Sequence, residues 1–318
     1  NQVKARPFLK REPDPKRNPF MRIGITGATG FIGTHLSKLA AQRGHEIITY
    51  SRRPRPGPHS LVQPAQTPWA LPQPDRPLDV LIHLSGEPVF GLWTNAKRAL
   101  IDESRGAFTE KLVDHLATWT QPPAALLVAS GVGYYGDRSD EILTESSPAG
   151  SGFLAEVCIA WEAAAQRAKD RLGARVVNFR TGLVLGNEGG ALPLMRRAFK
   201  FGVGGNLGSG NQWMPWIHIA DEVGLILWAA ENTAVTGPLN LTSPNPVTNA
   251  DFTRALASSV HRPAFFHAPA FVLKTLLGDL AQEMLLTSQR ALPAAAQSGG
   301  YTFQYPDLTP ALAHLLAL

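Results

Sequence analysis

The stretch Met21-Arg22-Ile23-Gly24-Ile25-Thr26-Gly27-Ala28-Thr29-Gly30-Phe31-Ile32-Gly33 decides the fold. An apolar run from Met21 to Ile25 leads into glycines spaced G-x-x-G-x-x-G, and Ile32, Leu36, Leu39 and Ala40 then recur at helical spacing up to Arg43. A strand, a glycine-rich turn and a helix in that order form a phosphate site. The first helical turn points unpaired N–H groups outward, with about half a positive charge of macrodipole behind them. Gly27 permits the tight turn, Gly30 lets the backbone approach a ligand without a Cβ in the way, and Gly33 lets the helix lie close on the sheet. The alternative is an ordinary glycine-rich turn with no ligand. The strand before, the helix after and a second strand beyond favour the ligand. Gly27, Thr29, Gly30, Phe31 and Ile32 are therefore expected to hold a dinucleotide.

Gly44 stops the first helix, and Glu46 to Tyr50 reads as the second strand. In dinucleotide folds an acid just after this strand holds the ribose 2′-OH of NAD, whereas arginine accommodates the 2′-phosphate of NADP. Here the run is Ser51-Arg52-Arg53-Pro54-Arg55, with no acid. Guanidinium groups grip phosphate through paired N–H bonds and Ser51 adds a hydroxyl, so the cofactor expected is NADP, held by Ser51, Arg52 and Arg53. The other reading is a solvated basic loop. Prolines crowd residues 54–78, where either Leu61-Val62 or Trp69-Ala70 supplies a third, short strand. Asp79 to Leu84 is a buried strand. Ligands lie outside the carboxyl ends of parallel strands, which puts Leu84, Ser85, Gly86 and Glu87 beside the cofactor. Glu87 is read as a capping or pairing residue rather than a catalytic acid, and His83 as a satisfied core histidine.

An amphipathic helix follows over about 94–118, with Ala99, Phe108, Leu112, Val113 and Leu116 on its apolar face. Ala124 to Ala129 is a buried strand ending in Ser130-Gly131-Val132-Gly133-Tyr134-Tyr135-Gly136. Residues 153–172 form a helix closed by Gly173, and Arg175 to Arg180 is a further strand. This alternation is that of an α/β fold, a doubly wound, Rossmann-like parallel sheet over 21–185. Residues 186–318 are expected to form a small α+β substrate cap, with about 214–232 packing back on the first part. Helices are expected at Leu192–Phe201, 222–231 with Asp221 as N-cap, from Thr248 to about 260, and over 270–286. Trp213 and Trp216 either line a pocket or fill the core.

Composition narrows the function. The chain has 318 residues and a formal charge of +5, but residues 1–20 alone carry a net +4 in a proline-rich tail. The body is close to neutral, so no nucleic-acid partner is expected. No apolar run approaches the ~18–20 residues that span a bilayer. No membrane partner is therefore expected either. The tail lacks the apolar core of a secretory signal, which points to a cytoplasmic protein. Cys158 is the single cysteine, which excludes an intramolecular disulfide and multi-cysteine metal sites.

Several segments together resemble the extended short-chain dehydrogenase/reductase superfamily. They are Thr26-Gly27-x-x-Gly30-Phe31-Ile32-Gly33, His83-Leu84-Ser85-Gly86 and Ser130 to Gly136. Ser85-Gly86-Glu87, Phe153 to Cys158, Trp161-Glu162-Ala163-Ala164-Ala165, Arg180 to Gly186, Trp216-Ile217-His218-Ile219-x-Asp221 and Ser288-Gln289-Arg290 resemble its uncharacterised NADP-binding "epimerase family" group, related to sugar-nucleotide epimerases. The resemblance implies catalysis by a Ser or Thr after the fifth strand and a Tyr-x-x-x-Lys on the next helix, where tyrosine is the acid/base and lysine lowers its pKa. Leu154 and Cys158 stand at those two positions, so the usual mechanism is missing. Ser130 and Tyr134 are the catalytic candidates that remain, Ser130 to bond a substrate carbonyl and Tyr134 to present a phenol. The expected function is an NADP(H)-dependent oxidoreductase or epimerase-like enzyme acting on an unknown small polar substrate. The rival is a non-catalytic NADP(H)-binding redox sensor or scaffold.

Overall fold

The computed structural model of the protein describes residues 20–51, 60–64, 67 and 69–317. Arg22–Thr26 (β1) is buried along its whole length inside a seven-stranded sheet. Its companions are β2 (Glu46–Ser51), β3 (Ser60–Pro64), β4 (Val80–His83), β5 (Ala125–Gly131), β6 (Arg175–Thr181) and β7 (Gly237–Leu241). The spatial order is β3-β2-β1-β4-β5-β6-β7, and every pairing is parallel. The order reverses at β1, where Thr26 is level with Tyr50 on one side and His83 on the other. Such a reversal opens a crevice above the strand ends.

Side chains alternate between the two faces of the sheet, as the two-residue period of a strand requires. Ile23, Ile25, Val80, Ile82 and Leu127 enter one core with α1 (Phe31–Gln42) and α6 (Ile219–Glu231). Ile48, Leu81, Leu126 and Val128 enter the other with α3 (Gly106–Leu116) and α4 (Phe153–Leu172). The sheet is thus doubly wound, as the sequence pattern predicts. Gly173 closes α4 in the left-handed region at φ 65°. The third strand is the Leu61-Val62 alternative. The remaining helices are α2 (Asn95–Glu103), α5 (Leu192–Lys200), α7 (Asn249–Ser259), α8 (Ala270–Leu277), α9 (Ala294–Ser298) and α10 (Leu308–Leu316). Among the described residues no helix is long and apolar enough to cross a membrane.

Three expectations need correction. The single helix over 94–118 is two, α2 and α3, because Arg105 leaves helical geometry (φ −115°, ψ −85°) and turns its guanidinium inward; Ala99 is exposed. The helix expected over 270–286 stops at Leu277 and is followed by a separate π-helical turn over Ala281–Leu285. Asp221 is not an N-cap. Helix α6 starts two residues earlier, capped by His218, whose Nδ1 accepts from the Ala220 N–H at 3.0 Å. The Asp221 carboxylate is instead fully buried and accepts the backbone N–H groups of Gln304 and Tyr305, each at 2.8 Å. It fastens the 301–305 stretch onto α6.

Glu222 beside it is also fully buried. One oxygen accepts from the Thr181 hydroxyl at 3.0 Å, and the other has no partner among the described residues. Burial pushes this carboxyl up to about 8 from an ordinary 4.5, so it is largely protonated at neutral pH. The folded state therefore holds a proton that the unfolded state has released between these two values. The stability this group supplies is full below about 4.5 and is lost as pH rises through about 8. Glu222→Gln keeps the shape without the ionisation. Thermal melts of both proteins from pH 5 to 8.5 should show the wild-type midpoint falling relative to the variant as pH rises; a constant difference would contradict the assignment.

Candidate functional site

At the end of β1 the backbone turns through Gly27, whose φ is +71°. A Cβ there would meet the Leu84 carbonyl carbon and oxygen at 2.9 Å, so the turn rests directly on the exit of β4. A Cβ at Gly33 would fall 2.3 Å from the Gly27 oxygen and 2.7 Å from Ala28 Cα. Both contacts are backbone on backbone, which no rotamer change can relieve. Gly30 precedes α1 in extended geometry with no side-chain cap, and the first helical bond runs from the Thr34 N–H to the Gly30 oxygen at 2.9 Å. The N–H groups of Phe31, Ile32 and Gly33 come before that bond and have no helical acceptor. The cradle fits an anionic diphosphate: a tight backbone shelf, no capping side chain, and the positive end of a helix dipole.

A cleft of about 750 Å³ opens above this turn. Gly27, Thr29, Ser51, Ser85, Gly86 and Glu87 all line it, together with Thr26 and Tyr50. Leu84 backs Gly27, and Ile32 packs against the core. The Phe31 ring lies against a glycine loop, where Cβ atoms at Gly186 and Gly189 would come within 2.3 and 2.6 Å of it. Arg52 and Arg53 fall outside the described residues. Glu87 is held on all sides. Its carboxylate pairs with Lys97 at 2.6 Å, its N–H donates to Ser104 Oγ at 3.0 Å, and its carbonyl accepts from Arg105 at 2.9 Å. His83 bonds Thr26 Oγ1 through Nδ1 at 2.7 Å, but its Nε2 is buried without a partner among the described residues. Burial pushes that imidazole down to about 4, so it is neutral.

Nothing in the hydrophobic pattern singles out Arg105. Its guanidinium also bonds the Ile101 carbonyl at 2.9 Å and stacks 5.0 Å from the Trp161 ring centroid. It thereby ties the β4 exit loop to α4, and burial lowers its pKa below the usual arginine value. The one local signal is Gly106 in the middle of an otherwise helical run.

Neither Ser130 nor Tyr134 lines this cleft. Ser130 is buried at the end of β5, and its hydroxyl donates to Glu162 Oε1 at 2.9 Å. Glu162 in turn takes both Nε and Nη2 of Arg180 at 2.9 Å, a bidentate pair with side chains only 11% and 4% exposed. Burial opposes the Arg180 charge, but the Glu162 carboxylate more than restores it and the pKa rises. Arg180 also lies 3.4 Å from the Tyr134 ring centroid and donates to the Tyr135 hydroxyl at 3.1 Å. The Tyr135 hydroxyl shares its one hydrogen between Asn240 Oδ1 at 2.7 Å and the Thr144 carbonyl at 2.9 Å. Tyr135 is thus a structural phenol, whereas Tyr134 is half-buried and forms no hydrogen bond through its hydroxyl among the described residues.

Leu154 and Cys158 face the end of β5. Leu154 Cβ lies 3.1 Å from where a Gly133 Cβ would stand, and Cys158 Sγ lies 3.8 Å from that of Gly131. Burial raises the Cys158 thiol to about 11, so it carries no charge at neutral pH. Neither residue can act as the usual tyrosine or lysine. The start of α4 is sealed from far along the chain by Glu283, whose carboxylate accepts the N–H groups of Phe153 at 2.8 Å and Leu154 at 2.9 Å. Among the described residues no group of His, Cys, Asp and Glu side chains could hold a metal ion.

Comparison with known proteins matches residues 23–241 to the NAD dependent epimerase/dehydratase family and residues 268–315 to a domain of unknown function. The epimerase family protein YfhF of Bacillus subtilis is 37% identical over 301 residues, covering 93% of this chain and 98% of that protein. The epimerase family protein SDR39U1 of Bos taurus is 37% identical over 302 residues, with 93% and 100% covered. The crystal structure of the human epimerase family protein SDR39U1 (isoform 2) with NADPH superimposes with a TM-score of 0.83 at 34% identity, covering 93% of this chain and 99% of that one.

The shelf formed by Gly27 and Gly33 is testable by itself. Gly33→Ala must push α1 off the turn, and overpacking of this kind costs about 1–3 kcal/mol. Urea unfolding should show a lower midpoint with an unchanged slope, and a midpoint equal to wild type would contradict the contact.

Proposed function

The chain belongs to the NAD dependent epimerase/dehydratase family, and from that premise we propose that it is an NADP(H)-dependent oxidoreductase or epimerase-like enzyme acting on a small polar substrate. The observation that carries this reading is the cleft above an uncapped helix N-terminus at the reversal of strand order. NADP rather than NAD is favoured by Ser51-Arg52-Arg53, which offers cations and a hydroxyl where an acid would hold a free ribose. The NADPH in the human relative is in keeping with this choice.

In this reading the backbone of Gly27 to Ile32 binds the diphosphate, Ser51 with Arg52 and Arg53 takes the 2′-phosphate, and Leu84 to Glu87 forms the wall beside the cofactor. The nicotinamide supplies or accepts the hydride when bound. The protein's task is then to hold the substrate and move one proton. Ser130 gives its own hydrogen to the Glu162 carboxylate, which leaves its lone pairs to accept from a substrate hydroxyl rather than to donate to a carbonyl. Tyr134 is the proton donor, because of the two phenols over Arg180 it is the one whose hydroxyl forms no hydrogen bond among the described residues. Arg180 beneath the ring fixes its orientation.

A second reading, a non-catalytic NADP(H)-binding redox sensor or scaffold, is favoured by Leu154 and Cys158 at the usual acid/base positions. A nucleotide-sugar epimerase with the standard mechanism ranks below both, since that chemistry needs the missing phenol. NADPH oxidation assayed against a panel of small hydroxylated aldehydes and ketones separates the first two. The enzyme reading predicts turnover that Tyr134→Phe lowers at least about 100-fold with NADPH affinity unchanged. NADPH binding without reduction of any member of the panel would favour the sensor, and full activity in Tyr134→Phe would remove that tyrosine from the mechanism.

A further inference from the structure

Neither Gly189 to Ala220 nor Phe252 to Gly278 contains an aspartate or glutamate. The first holds Arg196, Arg197 and Lys200, and the second Arg254, Arg262 and Lys274. The fold brings the two together, since Gly205–Leu207 pairs in parallel with Phe266–Ala268 and Phe266 stands opposite Gly205. The residues just before each strand, 201–204 and 262–265, therefore run into the same end of the pair.

That end is apolar and uncovered. Phe265 is 92% exposed and Phe201 82%, with Val203 and Phe266 beside them more than half exposed. Leu194, Arg197 and Phe201 recur at i, i+3 and i+7, so the exposed face of α5 continues the patch. Helix α8 starts at the other end of the pair, past Ala268, and is also exposed. None of its residues is buried, and Phe271 and Lys274 share one face at i, i+3. Arg254 pairs with Asp251, but Arg197, Lys200, Arg262 and Lys274 form no ion pair among the described residues. Aromatic rings this exposed in a contiguous patch mark an interaction surface rather than ordinary surface scatter.

We propose that this face, with Phe201, Phe265 and Phe266 as its apolar anchors and Arg197, Lys200 and Arg262 around them, docks the protein on an anionic phospholipid surface. The charge pattern selects this occupant. A second copy of the chain meeting the patch face to face would set these unpaired cations against their own kind, because a two-fold interface uses the same surface on both sides. A bilayer surface offers phosphate and carboxylate headgroups to the cations and the acyl boundary just beneath them to the rings. Attachment of this kind needs no spanning helix. It is independent of the cofactor cleft, and it stands or falls separately from the enzymatic reading.

The test is co-sedimentation of the full chain with phosphatidylcholine vesicles prepared with or without phosphatidylserine, at low and high salt. Binding is expected only with phosphatidylserine, and it should weaken as salt screens the headgroups. Reversing two surface cations in Arg197→Glu/Lys200→Glu should lower partitioning at least about 30-fold. Phe201→Ser and Phe265→Ser should lower it as well, although they leave the charge unchanged. Circular dichroism melts matching wild type establish that each variant is folded. The proposal is overturned by no binding to either vesicle, by equal binding to both, or by unaffected binding of the charge-reversed variant. It is also overturned by a concentration-dependent dimer that Phe265→Ser abolishes, which would make a second copy the occupant.

Discussion

The structure depends on one contact that no side chain makes: the backbone of the Gly27 turn seated on the Leu84 carbonyl and, from the other side, under the start of α1 at Gly33. Cβ atoms at either position would overlap main-chain atoms. The turn can therefore be this tight only with glycine at both. Because it is tight, α1 starts directly over the end of β1 and leaves its first N–H groups facing the crevice between β1 and β4. The cleft, its polarity and the direction of the helix dipole all follow from that seat. A looser turn would carry the same residues with the dipole aimed elsewhere.

Beyond the cleft, buried and half-buried carboxylates join the molecule in three ways. Glu162 is paired with Arg180, which also organises Tyr134 and Tyr135. Asp221 is satisfied by two backbone N–H groups and so binds the 301–305 stretch to α6. Glu283 seals the start of α4 by the same means. Glu222 has a single hydroxyl partner and keeps its proton instead. These choices follow one rule, that a buried carboxyl is paired, bonded to N–H groups, or neutral. The face of α4 toward β5 departs from the family expectation in the opposite direction. Leu154 and Cys158 leave an uncharged wall there.

What could be read from residues alone was what is local. The glycine turn, the helix over 153–172 with its left-handed Gly173, and the alternating strands follow from short-range geometry and two-face burial, and all are present. The errors share a cause. The break at Arg105 is made by bonds to Ile101 and Glu87, of which only the first is local; the role of Asp221 is set by partners more than eighty residues away. Asp before an apolar helical run is a fair N-cap pattern, and only the arrival of Gln304 and Tyr305 turns it inward. Ser130 shows the same limit. Its place at the end of β5 was legible, whereas the donation of its hydrogen to Glu162 depends on a helix thirty residues on.

The central claim is that this backbone shelf, followed by a second strand without an acid, holds NADP(H). Calorimetric titration of the full chain with NADPH and then NADH at one ionic strength tests it most directly. The account predicts one site per chain and at least about tenfold tighter binding of NADPH, the contribution of one good charge-assisted contact to the 2′-phosphate. Equal affinities would place the discrimination elsewhere, and no heat or competition with either nucleotide would contradict the claim outright.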